Sequence, residues 1–303
     1  MTALSTHAGT GPPAAPPAAD GRAARRPRTG RRIALLVIPA TVFVALAFLV
    51  PMVRLGWLSV TSPAPGLGNY AKIFSDGISL PIMGRTLRMA VTVTVVTLLC
   101  GYPYAYLMTV VSARWRAVLL AIVLMPFWTS LMARNFAWVV LFQDNGPLHS
   151  ALRVIGLGSV HPLGTATGVT IAMAQVMLPF MVLPLYSNLK GIDRRLMPAA
   201  LSLGARPIVA FGRVYLPLSL PGMAAGTTMV LILSLGFYIT PALVGSPQQS
   251  MIAQLIASKV QQVLDFGGGG ALSFALLVVA VVLLALVGRV ARPTTMIAGS
   301  GES

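Results

Sequence analysis

The residues able to do acid, base or metal chemistry are few in this chain, and they are scattered. The candidate carboxylates and imidazoles outside the chain ends are Asp76, Asp144, Asp193, Asp265, His149 and His161. They fall in predicted loops, at the ends of apolar runs or in one polar segment, and no apolar run has a central Asp, Glu or His. Proton-coupled carriers usually need such groups in the membrane. No metal-ligand cluster, Ser/His/Asp set or phosphate-binding loop is evident. The sequence therefore predicts neither an enzyme nor an ATPase, and energy for active transport would come from another chain.

One arginine lies within or near the end of an apolar run, with polar and aromatic neighbours. The set is Trp128, Thr129, Ser130, Arg134, Asn135 and Trp138. A buried arginine is costly unless it is paired or faces water, so these residues are candidates for lining a translocation path near its outer end. The alternative is that Arg134 snorkels to the interface beside belt tryptophans.

A polar segment interrupts the apolar runs at residues 193–222. Asp193 is placed to cap a short helix, Gly204 to end that helix with a sharp turn, and Pro207 to begin a second one. The pattern predicts a helix–turn–helix that is too polar to span a bilayer, with a small-residue surface at Ala199 and Ala200 that another protein could approach. The alternative is an ordinary basic loop between two spans.

Composition assigns the chain to the membrane. Its 303 residues are 56% hydrophobic and only 9% charged, whereas soluble domains carry about 25% charged residues. The net charge of +16 would suggest a nucleic-acid partner in a soluble chain, but here the positive bias of cytoplasmic loops explains it. The single cysteine, Cys100, excludes an intrachain disulfide.

The apolar runs predict an all-α integral membrane protein with six spans. They cover about residues 33–53, 86–108, 117–141, 166–186, 223–244 and 271–287. Most of the 22 Lys and Arg residues fall in alternate loops and at the chain ends, which favours N-in, C-in topology. Residues 1–32 would then be a disordered, basic cytoplasmic tail, and residues 291–303 a second cytoplasmic tail.

Two smaller features lie between the last two spans. Ser246 with Gln249 forms a capping-box pattern around Pro247, which predicts an amphipathic helix to about Leu264. The run Gly267–Gly270 is interpreted as a flexible joint before the last span.

The polar segment resembles the cytoplasmic "EAA" coupling loop of ABC-importer permeases. Ala199-Ala200, Gly204, Phe211 and Leu216-Pro217 stand at the spacing of that motif, and Pro198 replaces its glutamate. Further blocks look like the permease subunit of spermidine/putrescine-type ABC importers. These blocks are Thr86-Leu87-Arg88, Gly101-Tyr102-Pro103-Tyr104-Ala105-Tyr106, Pro126-Phe127-Trp128-Thr129-Ser130, Arg134-Asn135-Phe136-Ala137-Trp138, Pro241-Ala242-Leu243-Val244-Gly245 and the stretch from Met251 through Asp265-Phe266 to Ala271-Leu272-Ser273.

The resemblance implies a type-I ABC-importer permease fold, with a permease domain at 33–290 and its core at about 86–288. It implies four kinds of partner in a bacterial cytoplasmic membrane: an ATPase dimer, a second permease, an extracytoplasmic solute-binding protein and the lipid bilayer. No cofactor is implied. The residues expected to dock on the ATPase are Arg194, Arg195, Ala199, Ala200, Leu203, Gly204 and Ala205.

A polyamine is the first candidate solute. Another small organic solute or ferric iron is the alternative within the class, and an ion-coupled carrier or channel is the alternative outside it.

Overall fold

The computed structural model describes residues 29–154, 161–193 and 195–291. Thirteen α-helices are assigned in these ranges. They are α1 Thr29–Thr61, α2 Gly68–Ser75, α3 Ser79–Val110, α4 Ala113–Trp128, α5 Leu131–Phe142, α6 Pro147–Val154, α7 Ala166–Gly191, α8 Leu196–Ser202, α9 Pro207–Ala210, α10 Leu216–Leu235, α11 Ile239–Val244, α12 Ile252–Gln261 and α13 Phe266–Ala291. The predicted tails are residues 1–32 and 291–303, of which 1–28 and 292–303 lie outside the described residues. The tail boundaries are wrong at residues 29–32, which begin α1, and at residue 291, which ends α13.

Five helices are long and apolar enough to cross a membrane, and a sixth crossing is obtained if the bent pair α4–α5 counts as one span. The described residues divide into two compact units, with the boundary between Pro51 and Met52. In the first unit, the apolar side chains of α1 from Ile38 to Val50 are largely exposed, as expected of a surface that faces lipid.

The core of the second unit is built by α3, α7 and α10. In α7, 61% of the most apolar stretch is buried, against 17% in α13. Methionine and valine side chains of α3 and α7 fill the centre, including Met108, Met173 and Met181. Glycines bring the helices together, since a Cβ at Gly101 or at Gly226 would lie within 3 Å of the Met181 side chain. Small residues allow such close approach where no hydrophobic effect drives helices together.

The predicted span at 117–141 is wrong as a single helix. It is broken between α4 and α5, whose axes bend by 101°. Thr129 and Ser130 have extended backbones (ψ 142° and 133°). Pro126 in the last turn of α4 removes a helical hydrogen bond, which weakens the helix just before the break.

The predicted span at 223–244 also ends early. Helix α10 stops at Leu235, and α11 is a separate short helix after Gly236. Inside one continuous helix, Pro241 would remove a backbone hydrogen bond. As the third residue of α11 it removes none, because the first N–H groups of a helix have no partner within that helix.

The capping and hinge predictions before the last span are wrong too. Helix α12 begins only at Ile252, where the Gln254 side chain accepts a hydrogen bond from the Met251 N–H (2.7 Å). The glycine run 267–270 is buried in the first turns of α13, so it is not a flexible joint. A Cβ at Gly267 would overlap the Ser62 carbonyl oxygen, and one at Gly270 would lie 2.9 Å from that of Leu55. These glycines therefore serve close packing rather than flexibility.

Asp76 fixes the start of α3. Its carboxylate accepts hydrogen bonds from the N–H groups of Ile78 and Ser79 and from the Ser79 hydroxyl. Burial acts to raise the pKa of Asp76, but these hydrogen bonds outweigh it and hold the pKa below its ordinary value. The carboxylate is thus an anionic cap at a helix N-terminus, where negative charge is favourable.

Candidate functional site

The polar segment leaves the core at the end of α7 and returns at α10. Asp193 Oδ1 accepts a hydrogen bond from the Arg195 N–H (2.9 Å), which orders the turn before α8. No residue of α8 is buried. Because α8 buries so little of its surface within the chain, its residues are accessible to another protein.

Gly204 ends α8 with the predicted turn. Its φ is +84°, a value that non-glycine residues seldom adopt. The Gly204 N–H donates to the Leu201 carbonyl (2.9 Å), and the Ala205 N–H donates to the Ala200 carbonyl (3.1 Å). This pair of bonds is a Schellman motif, which satisfies carbonyls at the helix end. Pro207 then begins α9, as predicted.

Most of the predicted coupling residues lie together on this protruding turn. Leu203, at the tip, is 89% exposed, and Ile208 on α9 is 80% exposed. Arg195, Ala199 and Gly204 are exposed, and Ala200 and Ala205 are partly buried, whereas Arg194 lies outside the described residues. The polar segment thus exposes two aliphatic side chains, Leu203 and Ile208, next to small residues and the positive charge of Arg195.

Pro198, which replaces the glutamate of the coupling motif, fits the helix it occupies. It is the third residue of α8, and the first N–H groups of a helix have no partner within that helix. A proline here removes no helical bond and leaves an exposed apolar ring in place of a carboxylate.

An aromatic cluster joins the segment to α3. Phe211 and Tyr215 lie on a π-turn at Phe211–Tyr215, and their rings contact those of Tyr102 and Tyr106 on α3 at centroid distances of 5.4–6.5 Å. The Tyr102 hydroxyl also lies 3.1 Å from Ser219 Oγ on α10. This contact was not predicted from the sequence, although both aromatic pairs have the i,i+4 spacing that places them on one helix face. The cluster thus places the end of the polar segment in direct contact with α3.

A cavity of about 530 Å³ lies where α4 and α5 meet α7. Arg134, Thr129, Gln175 and Tyr104 supply its polar groups, and the rest of the lining is apolar. Gln175 lies nine residues into α7, or about 14 Å along the helix, so the cavity is about a third of the way from the start of α7 to its end. Gln175 was not among the predicted path residues, although it is the first amide in an otherwise apolar run.

Arg134 joins the two halves of the broken span. Its Nη2 donates to the Pro126 carbonyl (2.8 Å) and the Thr129 carbonyl (3.3 Å) at the end of α4. Its Nε is buried without a hydrogen-bond partner in the described part of the chain. Arg134 therefore satisfies carbonyls that the helix break has freed, and it also borders the cavity.

The other predicted path residues do not converge on this cavity. Trp128 is 86% exposed on the outside of the bundle. Asn135 is buried and donates to the Leu131 carbonyl within α5 (2.8 Å). Ser130 precedes α5 without a side-chain cap bond. Trp138 reaches the cavity only indirectly, because its Nε1 donates to Gln175 Oε1 (3.0 Å).

The two histidines, predicted to be isolated, lie beside each other. Their rings stack at 5.3 Å, and His161 Nδ1 lies 2.6 Å from Asp144 Oδ1. In the described ranges, no set of three or more His, Cys, Asp or Glu side chains is arranged to hold a metal ion.

We expect Arg134→Met to lower the stability of the transporter. Two carbonyls would lose their charged donor, and such a loss costs about 1–3 kcal/mol, equivalent to an unfolding temperature lower by several degrees. Thermal denaturation of the purified protein measures the change. Arg289→Met is the matched control, because the Arg289 side chain is exposed and makes no described hydrogen bond. Equal shifts in both variants would contradict the role of Arg134 in joining the two helices.

Comparison with known proteins assigns the chain to a family. The profile of the "Binding-protein-dependent transport system inner membrane component" family matches residues 101–292, more than half of the chain. The chain belongs to this family. It is therefore a multi-pass inner-membrane component of a transport system, and the resemblance inferred from the coupling segment is confirmed.

Characterised relatives of this family include polyamine permeases. The spermidine/putrescine transport system permease protein PotB of Haemophilus influenzae is 33% identical over 218 residues, covering 71% of this chain and 76% of that protein. The inner membrane ABC transporter permease protein YdcU of Escherichia coli is 34% identical over 207 residues, covering 63% of this chain and 64% of that protein.

A solved structure confirms the fold class. A bacterial ABC transporter involved in the import of alginate contains a chain that superposes with a TM-score of 0.67 at 19% identity. The match covers 88% of this chain and 96% of the other. At this identity the likeness shows the fold alone.

Proposed function

We propose that this chain is the permease subunit of an ATP-driven importer of polyamines such as spermidine or putrescine. The observation that carries the proposal is the Gly204 turn, which exposes the Leu203 side chain. The chain that follows this turn contacts α3 through the rings of Phe211 and Tyr102. The polyamine assignment is based on the relatives. Helices α3, α7 and α10 pack closely against one another, so in this proposal a force applied at the turn moves α3 and α10 together.

In this proposal the termini and the turn face the cytoplasm. The turn docks on a dimer of ABC ATPases, and a second permease completes the pathway. An extracytoplasmic solute-binding protein delivers the solute to the other end. Closure of the ATPases on ATP pushes the turn, and the aromatic cluster passes this displacement to the spans that border the Arg134 cavity.

The charge of the cavity bears on the partner permease. None of the four described carboxylates, at Asp76, Asp144, Asp193 and Asp265, lines it, whereas Arg134 does. A polyamine is a polycation that binds to carboxylates and to aromatic faces, and this cavity offers it the Tyr104 ring but no carboxylate. We therefore propose a heteromeric pair in which the second permease supplies the acidic groups.

Uptake by the reconstituted complex tests the function. Proteoliposomes that contain this chain, its partner permease and the ATPase, with binding protein added outside, should accumulate radiolabelled spermidine only with ATP inside. Excess putrescine should compete, and unlabelled ferric iron or amino acids should not. Uptake by this chain alone, driven by a proton or sodium gradient, would instead indicate a secondary carrier.

A further inference from the structure

A second polar cavity lies at the opposite end of the bundle from the coupling segment. Its volume is about 350 Å³, and its lining includes Arg85 and Arg88 of α3, Ala166 and Thr170 of α7, and Gln248 and Gln249 of the turn before α12. Ala166 is the first residue of α7, whereas the coupling segment follows the last residue, about 39 Å away along the helix. The site shares no lining residue with the Arg134 cavity.

The two arginines of this cavity have no anionic partner among the described residues. They are three residues apart on α3 and so lie on one face of the helix. Arg85 makes one long hydrogen bond, from Nη1 to the Ser250 carbonyl (3.4 Å), and within the described ranges the Arg88 side chain makes none. The ion pairs in the described part of the chain are His161–Asp144 and Lys259–Asp265. Two guanidinium groups thus border one cavity with their charge uncompensated by protein.

The side chains that line this cavity favour an oxyanion as its ligand. A guanidinium presents paired donors that match the two oxygens of a carboxylate. Gln248 and Gln249 add amide donors at the rim, and Arg88 and Gln248 are exposed, so the cavity is open from outside. The same two positive charges would repel a polyamine. The ligand is therefore not the proposed solute.

We propose that this cavity receives a carboxylate side chain, Asp or Glu, of the solute-binding protein when that protein docks. The inference rests on the proposed function, which places this end of the bundle outside the cell. There the binding protein is the macromolecule that must meet the permease. Charge complementarity between the paired arginines and an acidic side chain would orient the docked protein over the entrance to the pathway.

The test is the dependence of ATPase activity on binding-protein concentration, measured with the complete transporter in nanodiscs. In Arg85→Gln/Arg88→Gln the half-saturating concentration should rise at least tenfold, since hydrogen bonds to charged groups are the strong ones. The maximal rate at saturating binding protein should be unchanged. The difference from wild type should shrink as salt is raised, because exposed charges are screened. Arg88→Lys, which keeps the charge and loses the paired donors, should give an intermediate value.

Lys72→Gln is the matched control. Lys72 is an exposed cation on α2, outside the lining of the cavity, and its loss should leave the half-saturating concentration within about twofold. An unchanged value in the double arginine variant would overturn the proposal, as would a change confined to the KM for solute at saturating binding protein. A wild-type complex that no binding protein stimulates would overturn the proposed function itself.

Discussion

Gly204→Val should abolish solute uptake while the protein still inserts into the membrane. The Gly204 backbone has φ +84°, and a side chain in this left-handed conformation costs about 1–2 kcal/mol, more when it is β-branched. The turn would open or rotate, and Leu203 would no longer be presented at its tip. Because each 1.4 kcal/mol corresponds to a factor of ten, we expect uptake to fall at least tenfold. ATP hydrolysis should become insensitive to solute.

Two further variants separate conformation from the mere addition of a side chain. Gly204→Asn should keep most of the activity, because Asn tolerates the left-handed region. Gly191→Val, at the end of α7, should transport normally, since Gly191 lacks the positive φ and nothing lies within 4 Å of its added Cβ. Normal uptake by Gly204→Val would contradict the docking role of the turn.

Gly222→Val should destabilise the core through the contact between α10 and α7. A Cβ at Gly222 would lie 2.6 Å from Asn188 Cβ and 3.0 Å from its Cγ. Asn188 Cβ is fixed to the backbone of α7, so the helices must separate rather than a side chain swing away. Overpacking costs about 1–3 kcal/mol, and we expect the unfolding temperature to fall by about 5–10 °C. Thermal denaturation in detergent measures this shift.

Gly288→Val is the control for the cost of valine in a membrane helix. Nothing lies within 4 Å of a Cβ added at Gly288 on α13, so its unfolding temperature should stay near that of the wild type. If the two variants melt at the same temperature, the close approach at Gly222 is not a determinant of stability.

The turn at Gly204 and the end of α10 at Leu235 differ in how well the sequence predicts them. The turn depends on local rules, because glycine and the following proline each have a preferred position relative to a helix end. The predicted N-cap at Asp193 is wrong, because Arg195 occupies that position and Asp193 instead orders the turn before α8. The end of α10 was missed because residues 223–244 are apolar throughout, and hydropathy does not record a change of direction. The break after Trp128 was missed for the same reason, and because a proline is often tolerated within a membrane helix.

The glycine run before α13 shows a different failure. Four consecutive glycines favour a flexible chain by composition, yet they are helical here, and neighbouring backbone at Gly267 and Gly270 and side chains at Gly268 and Gly269 lie too close for an added Cβ. These close approaches exist only in the packed structure. The same holds for the Tyr102 and Phe211 rings, which are far apart in the chain, and for the two arginines opposite Thr170.

The sequence alone determined the membrane class, the family resemblance and the position of the coupling turn, because hydropathy and helix-end preferences act over a few neighbouring residues. Only the tertiary structure decided which polar side chains share a cavity. It separated Trp128 and Asn135 from Arg134, and it brought Gln175 to the Arg134 cavity and Gln248 to the Arg85–Arg88 cavity. Such groupings depend on how α3, α5 and α7 pack, and this packing is fixed by contacts between residues distant in sequence.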